Sequence, residues 1–282
     1  MPGQEIACIG DNCIDRFLPP VDDCLVGGNA VNVAVQLALL ERRVHYFGAV
    51  GDDAAGAAVS SALAAQGVGI ERLRMMTGQR TAFTDIEISE DGERTFAFEE
   101  FGACATYAPS AGDLGRLRLM RHVHIGWLNG VGDVKRALAG SGVTLSQDLT
   151  VNNSPENLSP AGLDIAFCSA EPDEADAAAA RLIAGGARLA VVTLGASGSM
   201  VSDGRATFIA SAPPVTPEDT TGAGDAFIAG FIHAYLAGMT LEQALTLGTG
   251  RAAVACMHRG GFPQTPLKGL IEPWAKPGVT DL

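Results

Sequence analysis

Short apolar runs and helical segments take turns along most of this chain, and that alternation limits its fold more than any other feature. Runs at 122–126, 143–149, 164–168 and 189–194 have the length of buried strands, and predicted helices fall near 133–139 and 173–184. The N-terminal part keeps the same rhythm. Ile6 to Gly10 reads as a buried strand, Gly28 to Leu40 as a helix buried on most sides, and Val44 to Val50 as the next strand, followed by an Ala-rich helix to about Gln66. Strand, helix and parallel strand close compactly only by right-handed crossovers, which put helices on both faces of the sheet. The expected fold class is therefore α/β, one three-layer α/β/α domain over residues 1–282.

Residues 81–101 break the rhythm. Phe83, Asp85, Glu87 and then Phe96 and Phe98 alternate about the turn Ser89-Glu-Asp-Gly92, the pattern of an antiparallel hairpin. We expect a small β lid formed mainly by this insert, with lid segments at about 12–26 and 80–103. A second hairpin-like stretch surrounds Ser202 to Arg205, and helices are predicted at about 224–237 and 240–257. Beyond Gly261, Pro263, Pro266, Pro273 and Pro277 predict a loosely structured tail, 262–282.

Charge narrows the function. With 19 basic and 32 acidic residues the net charge is −13, so no basic surface exists to follow a nucleic-acid backbone or an anionic membrane. Six scattered cysteines without metal-ligand spacing read as reduced thiols. No apolar run is long enough to span a bilayer, and Met1 to Asp15 lacks the pattern of a signal peptide, so a cytoplasmic location is expected.

Two segments carry chemistry. Asp219-Thr-Thr-Gly-Ala-Gly-Asp-Ala-Phe227 ends a polar loop and opens an apolar helix. Small residues Gly222, Ala223 and Gly224 let backbone N–H groups converge at the positive end of that helix, where an anion is favoured. A carboxylate at Asp225 can then reach a hydroxyl lying against the anion; the plainer alternative is a glycine-rich helix cap. In Gly27-Gly-Asn-Ala-Val-Asn-Val-Ala-Val35 a double glycine precedes Asn29 and Asn32, about one turn apart on one helix face. Two amides there can hydrogen-bond vicinal hydroxyls, or Asn29 can simply cap the helix.

With both motifs in this order, and Gly51-Asp-Asp53 and Val192-Thr-Leu-Gly195 between them, the chain resembles the ribokinase-like (PfkB) carbohydrate kinase family from about Ile6 to Gly261. The resemblance implies a ribokinase-like three-layer fold with a β lid and an ATP-dependent phosphotransfer to a small sugar-type substrate. Asp225 would be the catalytic base, with the amides of Gly222, Ala223 and Gly224 stabilising the transferring group. Asp15, Gly27, Gly28, Asn29 and Asn32 would bind the acceptor. Thr193, Gly195, Gly222, Gly224 and Cys256 would meet ATP, and Asp219 would hold the K⁺ that activates many members. The family's Asn-x-x-Glu motif, tied to Mg²⁺, is altered: Cys168-Ser-Ala-Glu-Pro-Asp-Glu174 has Ser169 where Asn is usual, leaving Glu171, Asp173 or Glu174 as the acid, with Glu171 taken as the metal residue.

Several segments, among them Ile9 to Asp15 and Gly222 to Gly230, are similar to the branch acting on fructoselysine, an Amadori product phosphorylated on its 6-hydroxyl. Glu87, Glu93, Glu99 and Glu100 in or beside the hairpin can pair with an ammonium group or simply be solvated. His122 and His124 read as ordinary histidines, and the lid's apolar edge suggests a homodimer through it. Other acceptors (fructose, ribose, an aminoimidazole riboside, 2-keto-3-deoxygluconate) and a non-catalytic binding protein remain as rivals. A dinucleotide oxidoreductase is disfavoured by the lack of GxGxxG after the first strand.

Overall fold

A computed structural model describes residues 4–88, 94–152, 154–268 and 270. In chain order the elements are β1 (Ile6–Ile9), β2 (Cys13–Phe17), β3 (Asp23–Gly27), α1 (Asn29–Leu39), β4 (Val44–Gly51), α2 (Ala54–Ala65), β5 (Gly69–Met76), β6 (Phe83–Ile88) and β7 (Arg94–Glu100). Two short helices follow, α3 (Gly102–Thr106) and α4 (Ala111–Leu117), then β8 (His122–Ile125), α5 (Val131–Leu138), β9 (Thr144–Asp148), β10 (Ile165–Ser169) and α6 (Ala175–Ala184). The C-terminal third carries β11 (Leu189–Thr193), β12 (Ser199–Ser202), β13 (Thr207–Ala210), α7 (Ala223–Leu236) and α8 (Leu241–Ala255).

Nine strands form the main sheet in the order β13-β12-β11-β10-β9-β8-β1-β4-β5. All neighbours from β11 to β5 run parallel, and β12 and β13 add an antiparallel edge. Period-two side chains then feed two cores. Ile6, Cys8, Tyr46, Phe167 and Val191 face α1, α2, α7 and α8, while Ala7, Ile9, Phe47, Val123 and Ile125 face α5 and α6. Within β8, His122 and His124 are fully buried and bonded to Thr144 and Ser146 hydroxyls, and burial pushes both imidazoles down to about 3, so they are neutral packing groups.

A separate sheet runs in the order β3-β2-β6-β7. Half of it comes from residues 13–27, so it is not mainly the later hairpin, whose turn at 89–93 lies outside the described residues. One face of this sheet, with Ile14, Cys24, Val26 and Phe83, joins the core beneath α1 and α2. Arg16 is held on that face by Asp85 through two bonds of 2.6 and 2.8 Å, its guanidinium 3.6 Å from the centre of the Phe83 ring. The opposite face carries Asp15, Phe17, Leu25, Thr84 and Ile86.

The stretch after Gly261 is not loose as far as Leu267. Phe262 is fully buried, Gln264 exchanges two hydrogen bonds with the Val26 backbone, and Leu267 bridges to Cys24. The outer edge of β3 presents backbone groups that must be paired, and this segment pairs them. Pro273 and Pro277 lie outside the described residues. Among the described residues no helix is long and apolar enough to cross a membrane.

Candidate active site

Two helix starts meet in one place. Helix α1 begins after Gly28, whose φ of 105° is open to glycine but strained for other residues. No side chain at the cap closes this end. Instead Asp11, from the turn after β1, accepts the backbone N–H groups of Asn29 at 2.8 Å, Ala30 at 3.2 Å and Trp127 at 3.1 Å. A carboxylate brought in from another element does the work of an N-cap and fixes α1 against β1.

Helix α7 starts after Gly222, at φ 73°, seated so close to Gly261 that a methyl group at Gly222 would overlap the Gly261 backbone. In its first turn Asp225 accepts from Asn29 Nδ2 at 2.6 Å and from Asn32 Nδ2 at 2.7 Å. Asn29 Nδ2 also donates to Asp148, at the end of β9, at 2.9 Å. Three carboxylates, Asp11, Asp148 and Asp225, thus gather around the start of α1. Burial, together with repulsion from Asp148 and Asp11, pushes the Asp225 carboxyl well above its ordinary value; the two amide bonds oppose this and are outweighed. Burial raises Asp11 and Asp148 as well. The side-chain oxygens of Asn29 and Asn32 are buried without a hydrogen-bond partner, and each can accept from an incoming hydroxyl.

A cavity of about 1010 Å³ opens on the other side of the α7 start. Its walls bring together Thr193, Gly195, Ala223, Gly224 and Cys256 with Glu171. Ser169 also lines it and bonds the Thr193 hydroxyl at 2.8 Å, so the residue standing where Asn is usual is tied to that wall. Of the three acids considered for the altered motif, Glu171 lines the cavity, whereas Asp173 and Glu174 lie on an exposed turn of 3-10 helix and are not among its lining residues. Among the described residues no three His, Cys, Asp or Glu side chains cluster as a metal site. Asp219 is buried, and its two carboxylate oxygens accept the N–H groups of Thr221 at 2.6 Å and Gly260 at 2.7 Å, tying the turn before α7 to the 259–261 loop.

Asp15 lies in β2 with its carboxylate against Gly27, where any side chain would collide with it. Gly27 therefore brings Asp15 against the start of α1, and Gly28 lies as close to the Asn12 backbone. Sequence reasoning passed over Asp11, Asp148 and Gln36. Asp11 was visible beside Gly10 but had no partner in sequence, because its partners lie on α1 and after β8. Asp148 carries no local signal beyond ending a strand, and Gln36 looks like an ordinary helix residue until its bond to the Gly261 carbonyl at 2.7 Å is seen.

The model of the family described as pfkB family carbohydrate kinase matches residues 5–111 and 145–266. The chain is 38% identical over 266 residues to fructoselysine 6-kinase of Shigella flexneri, covering 92% of this chain and 100% of that protein. It is 26% identical to a fructosamine kinase of Bacillus subtilis, covering 92% and 93%. In three dimensions it is similar to a ribokinase of Arabidopsis thaliana solved with ribose and ATP, with a TM-score of 0.82, 23% identity, and coverage of 92% and 94%.

Proposed function

This chain belongs to the pfkB family of carbohydrate kinases, and from that premise we propose that it transfers the γ-phosphoryl group of ATP to the 6-hydroxyl of fructoselysine or a related fructosamine. The observation that carries the reading is the place of Asp225: its helix start borders the large cavity through Ala223 and Gly224, and its carboxylate faces the paired amides of Asn29 and Asn32.

In this reading the triphosphate lies in the cavity with its γ end at Gly222, Ala223 and Gly224, whose backbone N–H groups and helix dipole stabilise the negative charge. The acceptor lies between Asp225 and Asp15, its hydroxyls meeting Asn29 and Asn32. As O6 bonds to the γ-phosphorus, its proton passes to Asp225, and the bond from that phosphorus to the bridging oxygen breaks to leave ADP. A raised carboxyl pKa makes Asp225 a stronger base than an ordinary aspartate. Mg²⁺ bound with the nucleotide would neutralise phosphate charge. The donor set fits an ion carried in by ATP, with Glu171 as the carboxylate among the cavity's lining residues that would meet it. For K⁺ the residue in question is Asp219, whose oxygens already hold two backbone amides, and no step is routed through that ion.

Because Asp15 sits in the four-stranded sheet, acceptor binding would draw that sheet over the site as a lid and keep water from the phosphoryl group. The outer edge of β7 with half-exposed Phe98 favours a lid-to-lid homodimer, measurable by light scattering. The deciding experiment is ADP release with fructoselysine, fructose, ribose, an aminoimidazole riboside and 2-keto-3-deoxygluconate, with the phosphate position read by NMR. Fructoselysine 6-phosphate is expected. Turnover of another acceptor without fructoselysine would overturn the acceptor assignment, and no ADP with any acceptor would favour a binding protein.

A further inference from the structure

The four-stranded sheet sorts its acidic residues by face. Strand pairing sets Leu25, Asp15, Thr84 and Glu99 side by side across β3, β2, β6 and β7. Residues paired across strands project on the same face. That face looks at the site, since Asp15 lies against Gly27 and Leu25 packs on Gly260, next to the Gly261 that abuts Asn32 and Gly222. Glu100 pairs with Phe83, on the opposite face, and Glu87 alternates with Ile86, which places it there too. Glu93 lies outside the described residues. Of the hairpin glutamates with a described position, only Glu99 shares the face of Asp15.

Exposure rises along this row. Asp15 and Thr84 are each 6% exposed, whereas Glu99 is open to solvent. At about 4.8 Å per strand, Glu99 stands about 10 Å from Asp15 on the open side of the site. Of the cations near this sheet, Arg16 projects to the other face and is held by Asp85, and Arg259, over the Phe17 ring on this face, is paired with Asp23. A fructosamine carries its amine on C1, the opposite end of the sugar from the 6-hydroxyl. With O6 at Asp225, C1 and its substituent point away from α7 toward this row.

We propose that Glu99 is a specificity-determining residue that pairs with an ammonium group on the substituent of the acceptor, while Asp15 and the asparagines hold the sugar. This rests on the fructosamine reading above. The ammonium can be the C1 amine itself or the α-ammonium of the lysine part.

The test compares wild type with Glu99→Gln and Glu99→Asp on fructoselysine, 1-deoxy-1-morpholinofructose and fructose. The readout is KM, or the inhibition constant where an analogue binds without turnover. Losing one charge-assisted contact predicts a KM for fructoselysine raised about 10- to 100-fold in Glu99→Gln, with kcat little changed, fructose unaffected and partial recovery in Glu99→Asp. If the morpholino compound weakens in parallel, the C1 amine is the partner; if only fructoselysine weakens, the α-ammonium is. An unchanged KM for fructoselysine in Glu99→Gln, or an equal loss for fructose, would overturn the proposal. A wild type that phosphorylates no fructosamine would overturn the acceptor reading itself, a failure visible before any variant is made.

Discussion

Asp225 and Asn32 stand 193 residues apart in sequence, and in the folded chain the carboxylate accepts the side-chain amide at 2.7 Å. The bond joins the first turns of α7 and α1 and holds the carboxylate where it is crowded by Asp148 and Asp11. Such a site sacrifices stability for reactivity.

Replacing Asp225 with Asn separates those two effects. It removes the proton acceptor, so kcat is expected to fall about 10²- to 10⁴-fold while ATP affinity by calorimetry stays unchanged. It also removes one of three mutually repelling carboxylates, which should raise Tm by about 2–4 °C, or about 1 kcal/mol in a chain of this length. A kcat loss of less than about tenfold would rule out the base assignment.

The same crowding fixes the direction of a pH profile. Asp225 acts only when deprotonated, and its pKa is raised, so kcat/KM should rise with pH along an acid limb displaced above the ordinary carboxylate range. For stability the sign is opposite. The folded state holds the proton more tightly than the unfolded one, so stability is lost as pH rises from the unfolded carboxyl pKa through the folded one. Steady-state kinetics beside thermal melts across pH 4–8 check both slopes, and an acid limb at the pKa of a free aspartate would contradict the crowded site.

Much of this was legible before the fold was seen, for physical reasons that differ by element. Parallel strands such as β10 and β11 are buried on both faces and read as apolar runs, and the two helix starts declare themselves through glycine, as Gly28 and Gly222 show. Strand β5, Gly69–Met76, went unread because its edge position leaves Glu71, Arg72 and Arg74 in an otherwise apolar pattern. Strands β2 and β3 are short, and β2 is interrupted by Asp15 and Arg16, whose burial depends on partners in β3 and β6. In the site, Asp225 and Asn32 were found through local motifs. Asp11 and Asp148 act across strand ends, where no spacing rule applies.

Gly222 should tolerate no side chain. Its φ of 73° already disfavours Ala, and an added methyl would overlap Gly261. Gly222→Ala is expected to lose about 1–3 kcal/mol in denaturant unfolding and at least about 100-fold in kcat, because the N–H groups at the α7 start are displaced from the transferring charge. Wild-type kcat in a stable Gly222→Ala variant would mean that these amides do not bear on the phosphoryl group.

Gln36 is expected to matter to catalysis although it touches no reacting atom. It is one turn beyond Asn32 on α1 and 1% exposed; its Nε2 donates to the Gly261 carbonyl at 2.7 Å, and its Oε1 accepts from Arg251 Nη2 at 2.5 Å. Gly261 in turn is wedged against Asn32 and Gly222, so this one amide ties α1, α8 and the 259–261 loop around the base. Gln36→Leu keeps the bulk but leaves a carbonyl and a guanidinium unpaired, which should cost about 2–4 kcal/mol in stability. That loss alone would not distinguish positioning from packing, and Gln36→Glu does. It keeps an acceptor for Arg251 and so much of the stability, yet sets a carboxylate against the Gly261 carbonyl and pushes the loop off Asn32. We expect Gln36→Glu to melt close to wild type and lose about tenfold in kcat with little change in KM for ATP, as a displaced catalytic geometry would. Wild-type kcat in Gln36→Glu would reduce Gln36 to a structural tie between α1 and α8.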